Sequence, residues 1–128
     1  MANIFVIDDE SILLDLISNA LRLDGHKVTT FSEPMSMLAV PGCPLMDLLV
    51  TDVEMRPING FEVAKRLIMR GFQGPILFMS GYSYPRDSSD RRLVIEKPFT
   101  AGQLRAAVSK ALRSLVLPGE SARIPQAE

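Results

Sequence analysis

Leu48-Leu49-Val50-Thr51-Asp52 is the stretch that decides the reading of this chain. Three apolar residues and a threonine run straight into a carboxylate. The run is too short for a helix and apolar enough for a strand buried on both faces. A strand of that kind delivers its terminal aspartate to the edge of a sheet, where the chain leaves the core. The same arrangement recurs along the sequence. Asn3–Ile7 is an apolar run ending in Asp8-Asp9, residues 76–79 lead into Ser80, and residues 93–95 are followed closely by Lys97. Four buried runs thus hand a reactive polar group to one end of a parallel sheet.

The segments between these runs have helical character. Leu13, Leu16, Ile17 and Ala20 lie at helical spacing after a Ser11 cap region, which leaves Leu14 off the core stripe. Asp24-Gly25 ends that helix, with glycine supplying the left-handed cap. Lys27–Phe31 reads as a second strand, and residues 33–40 as a short helix with Pro34 in its first turn. The third strand covers 47–51. The Asn59-Gly60 turn opens a helix marked by Phe61, Ala64, Leu67 and Ile68 that stops at Gly71. Thr100 and Gln103 fit a capping box for a last helix whose apolar face is Leu104, Ala107, Val108, Ala111, Leu112 and Leu115. Strands joined by helix-length connections imply right-handed βαβ units and a parallel sheet covered on both faces. In such sheets ligands sit beyond the carboxyl ends of the strands, where Asp8, Asp9, Asp52, Ser80 and Lys97 all fall.

The bulk properties narrow the function. A chain of 128 residues makes one domain with a real core. A net charge of −1 argues against nucleic acid held by bulk electrostatics. No apolar run approaches the length of a membrane span, and the N-terminus lacks a basic start and a long apolar stretch, so the expectation is a cytoplasmic protein with no membrane and no nucleic-acid partner. The lone Cys43 cannot form an internal disulfide and receives no role. His26 is expected at the surface rather than as a ligand.

Three carboxylates gathered at one sheet edge repel one another, and a divalent cation relieves that repulsion. Mg2+ suits oxygen ligands, is held by one or two carboxylates, and takes phosphate oxygens. Such a site draws in a phosphoryl group, and one carboxylate can attack phosphorus to give an acyl phosphate. Asp52, alone at the end of a central strand, is the candidate nucleophile. Asp8 and Asp9, a pair, are the candidate metal ligands. Lys97 supplies a fixed positive charge and Ser80 a hydrogen-bond donor. Each residue has a blander reading by itself: Asp8-Asp9 as charges at a helix start, Asp52 and Ser80-Gly81 as turn residues, Lys97 as a solvated exit. All four would have to hold together.

Asp8-Asp9-Glu10 after a strand, Asp52 with Met55 and Asn59-Gly60 behind it, Ser80-Gly81-Tyr82, and Glu96-Lys97-Pro98-Phe99 together resemble the receiver domain of two-component response regulators. The likeness runs from Ile4 to Leu115, in order and spacing. It implies a flavodoxin-like, doubly wound five-stranded parallel sheet of order 2-1-3-4-5 with helices on both faces. The receiver domain is expected over 1–116, and the polar stretch over 117–128, marked by proline and glycine from Pro118, reads as a flexible tail. The likeness further implies that Asp52 takes a phosphoryl group from a phosphohistidine on a sensor histidine kinase or a histidine phosphotransfer protein. Asp8, Asp9, Asp52 and the Glu54 backbone carbonyl would hold Mg2+. Ser80 and Lys97 would sense the phosphoryl group, and a downstream protein target would read the result. The chain departs from the family at three places. The aromatic residue usual three positions before the lysine is Val94, the segment 82–92 is short and polar with a fourth helix stunted or absent, and Pro57 follows an arginine at the usual proline position. Glu54 and Tyr82 flank the site and are expected to tune the acyl-phosphate lifetime. Leu14, as an apolar residue off the core stripe, is a candidate for partner docking. Two other functions fit less of the sequence: a Mg2+-dependent aspartyl-phosphate phosphohydrolase, and an interaction module that is never phosphorylated. Too few residues follow Leu115 for a DNA-binding domain, so output by protein contact is expected.

Overall fold

The computed structural model describes residues 2–41, 45–82 and 93–114. Cys43, Leu115, the tail over 117–128 and all of the short segment but Tyr82 lie outside the described residues. The chain alternates β1 (Asn3–Ile7), α1 (Ser11–Leu23), β2 (Lys27–Phe31), α2 (Pro34–Leu38), β3 (Leu48–Asp52), α3 (Gly60–Met69), β4 (Ile76–Ser80), β5 (Leu93–Glu96) and α4 (Ala101–Leu112). All strand pairs are parallel and the sheet order is β2-β1-β3-β4-β5. The fold is therefore the doubly wound one expected from the sequence, with β3 at its centre.

Strand alternation splits the core into two layers. Ile4, Val6, Leu48, Val50, Leu77 and Met79 face one side and pack on Ile17 and Leu21 of α1 and Leu104 and Val108 of α4. Ile7, Leu49, Ile76 and Phe78 face the other and pack on Met37 of α2 and Val63 and Leu67 of α3. Every residue of β3 and of β4 is buried. Polar groups on these strands are thus confined to their ends. The last helix carries the expected capping box, the Gln103 N–H donating to Thr100 Oγ1 and the Thr100 N–H to Gln103 Oε1.

The first helix corrects the sequence reading. Leu14 is only 7% exposed and belongs to the core, whereas Leu16 is 42% exposed. The inward stripe is Leu14, Ile17, Ser18 and Leu21, with spacing i, i+3, i+4, i+7. Ile17 and Ala20 are buried as the periodicity predicts and Leu13 packs against the core, but a serine occupies one of the inward places and apolar residues surround the helix, so the periodicity misplaces Leu14 and Leu16. A side chain buried in this way has no surface with which to dock a partner. Gly25, at φ 86°, supplies the left-handed turn after α1. His26 Nδ1 accepts a hydrogen bond from the Ala2 backbone N–H at 3.2 Å.

Candidate phosphoryl-transfer site

The parallel register aligns the strand ends. Ile7 pairs with Thr51, Asp52 with Met79 and Ser80 with Glu96. Backbone bonds beyond the strands extend this frame: the Asp8 N–H donates to Phe31 O, Val53 N–H to Met79 O, and Lys97 N–H to Ser80 O at 2.7 Å. Asp8, Asp52, Ser80 and Lys97 are therefore brought to one place by the sheet itself.

Asp8 and Ser80 are fully buried and Asp52 is 3% exposed. Asp9, by contrast, is exposed beside them. One carboxylate oxygen from each of Asp8, Asp9 and Asp52 lies within 4.8 Å of the others. Asp8 Oδ1 accepts from the Glu10 N–H at 2.8 Å, which holds the carboxylate at the entry to α1. Lys97 Nζ donates to Asp8 Oδ2 at 2.8 Å and stands 3.2 Å from Asp52 Oδ1. That second contact is an ion pair without directed hydrogen-bond geometry, and Asp52 Oδ1 is buried with no hydrogen-bond partner among the described residues.

The electrostatics follow from this crowding. Burial pushes the Asp52 carboxyl up to about 6, the negative charge of Asp8 adds to it, Lys97 opposes it, and Glu54 adds a smaller upward push. Burial weakens the Lys97 ammonium, but its hydrogen bond to Asp8 and the charges of Asp8 and Asp52 hold it above the ordinary lysine value. Asp52 is thus a carboxylate whose burial and like-charged neighbour outweigh the Lys97 cation beside it, able to accept further positive charge or an electrophile.

The loop after β3 folds tightly over the site. The Gly60 N–H donates to Val53 O at 2.9 Å, and a Cβ built on Gly60 would stand 2.2 Å from the Asp52 carbonyl oxygen. Only glycine permits that approach. Asn59 caps α3 by accepting from the Glu62 N–H. The sequence marks Asn59-Gly60 as a turn but carries no sign that Gly60 lies against the backbone of Asp52. Met55 is buried in the second core layer, and an open cleft of about 470 Å3 lies over Asp9, Glu54, Met55 and Asn59.

The flanking positions have defined places. Glu54 Oε2 accepts from Ser80 Oγ at 2.7 Å and Glu54 Oε1 from the Gly81 N–H at 3.2 Å, contacts with no signal in the sequence. The Tyr82 N–H donates to Ser80 Oγ at 3.0 Å while the ring is 66% exposed. Val94 pairs with Phe78 in the β4–β5 ladder and packs against the second core layer, away from the carboxylates.

Comparison with known proteins agrees with this geometry. The chain is 31% identical to the transcriptional regulatory protein FixJ of Bradyrhizobium diazoefficiens, over 97% of this chain and 63% of that protein. It is 28% identical to the response regulator protein TmoT of Ectopseudomonas mendocina, over 96% of this chain and 57% of that one. The chain therefore spans about 60% of the length of these relatives. Among solved structures, the response regulator TrrA of Thermotoga maritima in complex with Mg2+ and BeF superposes with a TM-score of 0.74 at 28% identity, covering 87% of this chain and 99% of that one. The chemotaxis protein CheY4 of Vibrio cholerae shares the fold, with a TM-score of 0.77 at 24% identity and coverage of 87% and 98%. The family model of the response regulator receiver domain matches residues 4–109, and the chain belongs to that family.

Proposed function

We propose that this receiver domain is a phosphoacceptor in a two-component or phosphorelay system, with Asp52 as the accepting residue. The observation that carries the reading is a buried Asp52 carboxylate between Asp8 and Lys97, whose Oδ1 meets Lys97 as an ion pair and has no directed hydrogen bond among the described residues. An Asp52 oxygen attacks the phosphorus of a phosphohistidine on a sensor histidine kinase or a histidine phosphotransfer protein. The new O–P bond forms as the P–N bond breaks, and the electron pair leaves with the imidazole nitrogen. Lys97 is held against both Asp8 and Asp52, so its charge meets that gathering on the phosphoryl oxygens. Ser80 offers a hydroxyl donor at the end of the neighbouring strand.

The three carboxylates fit Mg2+: their oxygens converge within 4.8 Å, two are buried, and among the described residues Lys97 is ion-paired to Asp8 and Asp52 but not to Asp9. Asp8, Asp9, Asp52 and the Glu54 backbone carbonyl would hold the ion, which when bound supplies positive charge to the phosphoryl oxygens. The role is that of a signalling domain rather than a turnover enzyme, and a downstream protein target reads the phosphorylated state. No helix among the described residues is long and apolar enough to cross a membrane, in keeping with a cytoplasmic place of action. Tyr82, whose N–H is bonded to Ser80 and whose ring is exposed, tunes the acyl-phosphate lifetime in this reading by limiting the approach of water. Val94, without an aromatic ring to turn inward, leaves the signal to the loops after β3 and β4. A phosphohydrolase using Glu54 as its second carboxylate is less well supported, because that side chain is bonded to Ser80 and Gly81.

Intact mass after incubation with acetyl phosphate and Mg2+ tests the reading. One phosphoryl group gained by the native chain and none by Asp52→Asn is expected. A folded protein that gains no mass refutes it.

A further inference from the structure

The Glu54 side chain turns across the mouth of the site rather than along the loop that carries it. Its two oxygens take two donors at the end of β4, the Ser80 hydroxyl at 2.7 Å and the Gly81 N–H at 3.2 Å. A hydroxyl and an adjacent amide aimed at one carboxylate form a small anion seat, and the seat is filled by a residue of the chain itself. Ser80 Oγ also lies 3.0 Å from the Tyr82 carbonyl oxygen and accepts from the Tyr82 N–H. A hydroxyl has a single hydrogen, and the shorter contact, to the charged acceptor, is the stronger claim on it. Ser80 therefore cannot donate to Glu54 and to a phosphoryl oxygen at the same time.

We propose that Glu54 is a built-in competitor for the anion seat of Ser80 and Gly81, and that it must swing out before a phosphoryl group on Asp52 can be held there. The inference rests on the phosphoacceptor reading and adds to it a step particular to this chain. A carboxylate and a face of a phosphoryl group present the same pattern of anionic oxygens to these donors, so one replaces the other without rebuilding the loop after β4. Glu54 lies two residues beyond Asp52 and lines the cleft with Met55 and Arg56, so its release changes the charge at the mouth of that cleft. The unphosphorylated chain is thereby held in an off state by its own side chain, and phosphorylation frees a carboxylate where none was available.

Amide NMR with beryllium fluoride and Mg2+ tests this in the native chain, Glu54→Ala, Ser80→Ala and the double variant. Removing a hydrogen-bonded charged competitor is expected to tighten beryllium fluoride binding about tenfold. In the Ser80→Ala background the same change is expected to give a gain of no more than about threefold, because the contested donor is gone. In the unliganded protein, Glu54→Ala is expected to move the Gly81 amide resonance, which reads the contact with no anion present. Equal affinity with and without Glu54, an equal gain whether or not Ser80 is present, or an unmoved Gly81 resonance each overturns the proposal. Failure of every variant, the native chain included, to take up beryllium fluoride overturns the phosphoacceptor reading and the competition with it.

Discussion

Asp52→Asn should make this protein more stable, and only at a pH where Asp52 is charged. The Asp52 carboxyl lies at about 6 in the folded protein against an ordinary value of 3.8. Ionising it in the folded state is therefore about 3 kcal/mol more costly than ionising it in the unfolded chain. A raised carboxyl means that the folded state binds the proton more tightly than the unfolded state. Its contribution is most favourable below 3.8, is lost as pH rises from there to about 6, and stays lost above. Asparagine has the shape of the neutral acid and escapes that loss. The gain of the variant over the native chain is then close to zero at about pH 3.5 and approaches about 3 kcal/mol at about pH 7.5 in the absence of divalent ions. At the proposed Mg2+ site, the ion should stabilise the native folded chain and close most of the gap, since a ligand at about a hundred times its Kd adds about 2.7 kcal/mol. Urea unfolding followed by far-UV circular dichroism suits a chain without tryptophan. A variant no more stable than the native chain at about pH 7.5, or a gain independent of pH, would refute the picture of Asp52 as an under-compensated buried carboxylate.

Three other outcomes follow from the same structure. Lys97→Met strips the cation from between Asp8 and Asp52 and should cost about 3 kcal/mol at neutral pH in urea unfolding without metal; a loss below about 0.5 kcal/mol would show that solvent screens the pair. Leu14→Ala, which empties a core position, should cost about 2–4 kcal/mol, whereas Leu16→Ala should stay within about 0.5 kcal/mol; the reverse order in thermal unfolding would restore the sequence reading of α1. Gly60→Ala pushes a methyl group into the Asp52 backbone and should cut the rate of phosphorylation by acetyl phosphate at least about tenfold while the circular dichroism spectrum stays native; an unchanged rate would separate the loop from the site.

How much could be read beforehand depended on how one-sided each segment is. The strands were legible because β3 and β4 are buried on both faces and contain almost nothing but apolar residues until the polar group at their end. The site residues were legible for the same reason: Asp8, Asp52 and Ser80 mark the points where those runs stop. In helix α1 the periodicity finds Ile17 and Ala20 but places Leu16 inward and Leu14 outward, because Ser18 faces inward while Ile12 and Leu23, 80% and 81% exposed, face out. Amphipathic periodicity carries little information when apolar residues occupy both sides. The contacts of Glu54 and Gly60 were not legible at all. They join residues 26 apart in one case, and in the other they depend on a backbone approach that only a folded loop defines.

The sheet gives the site one more property. Asp8 directly follows β1 and Ser80 ends β4, the two strands that flank β3, so the ladders set the register of both groups against Asp52. A slip of one residue in either ladder would carry its polar group about 3.3 Å along the strand and turn it to the opposite face. Chemical competence is thus a proofreading signal for assembly. On the phosphoacceptor reading, a chain with native helix content but one misaligned strand would look folded to helix-sensitive spectroscopy and yet be unable to accept a phosphoryl group.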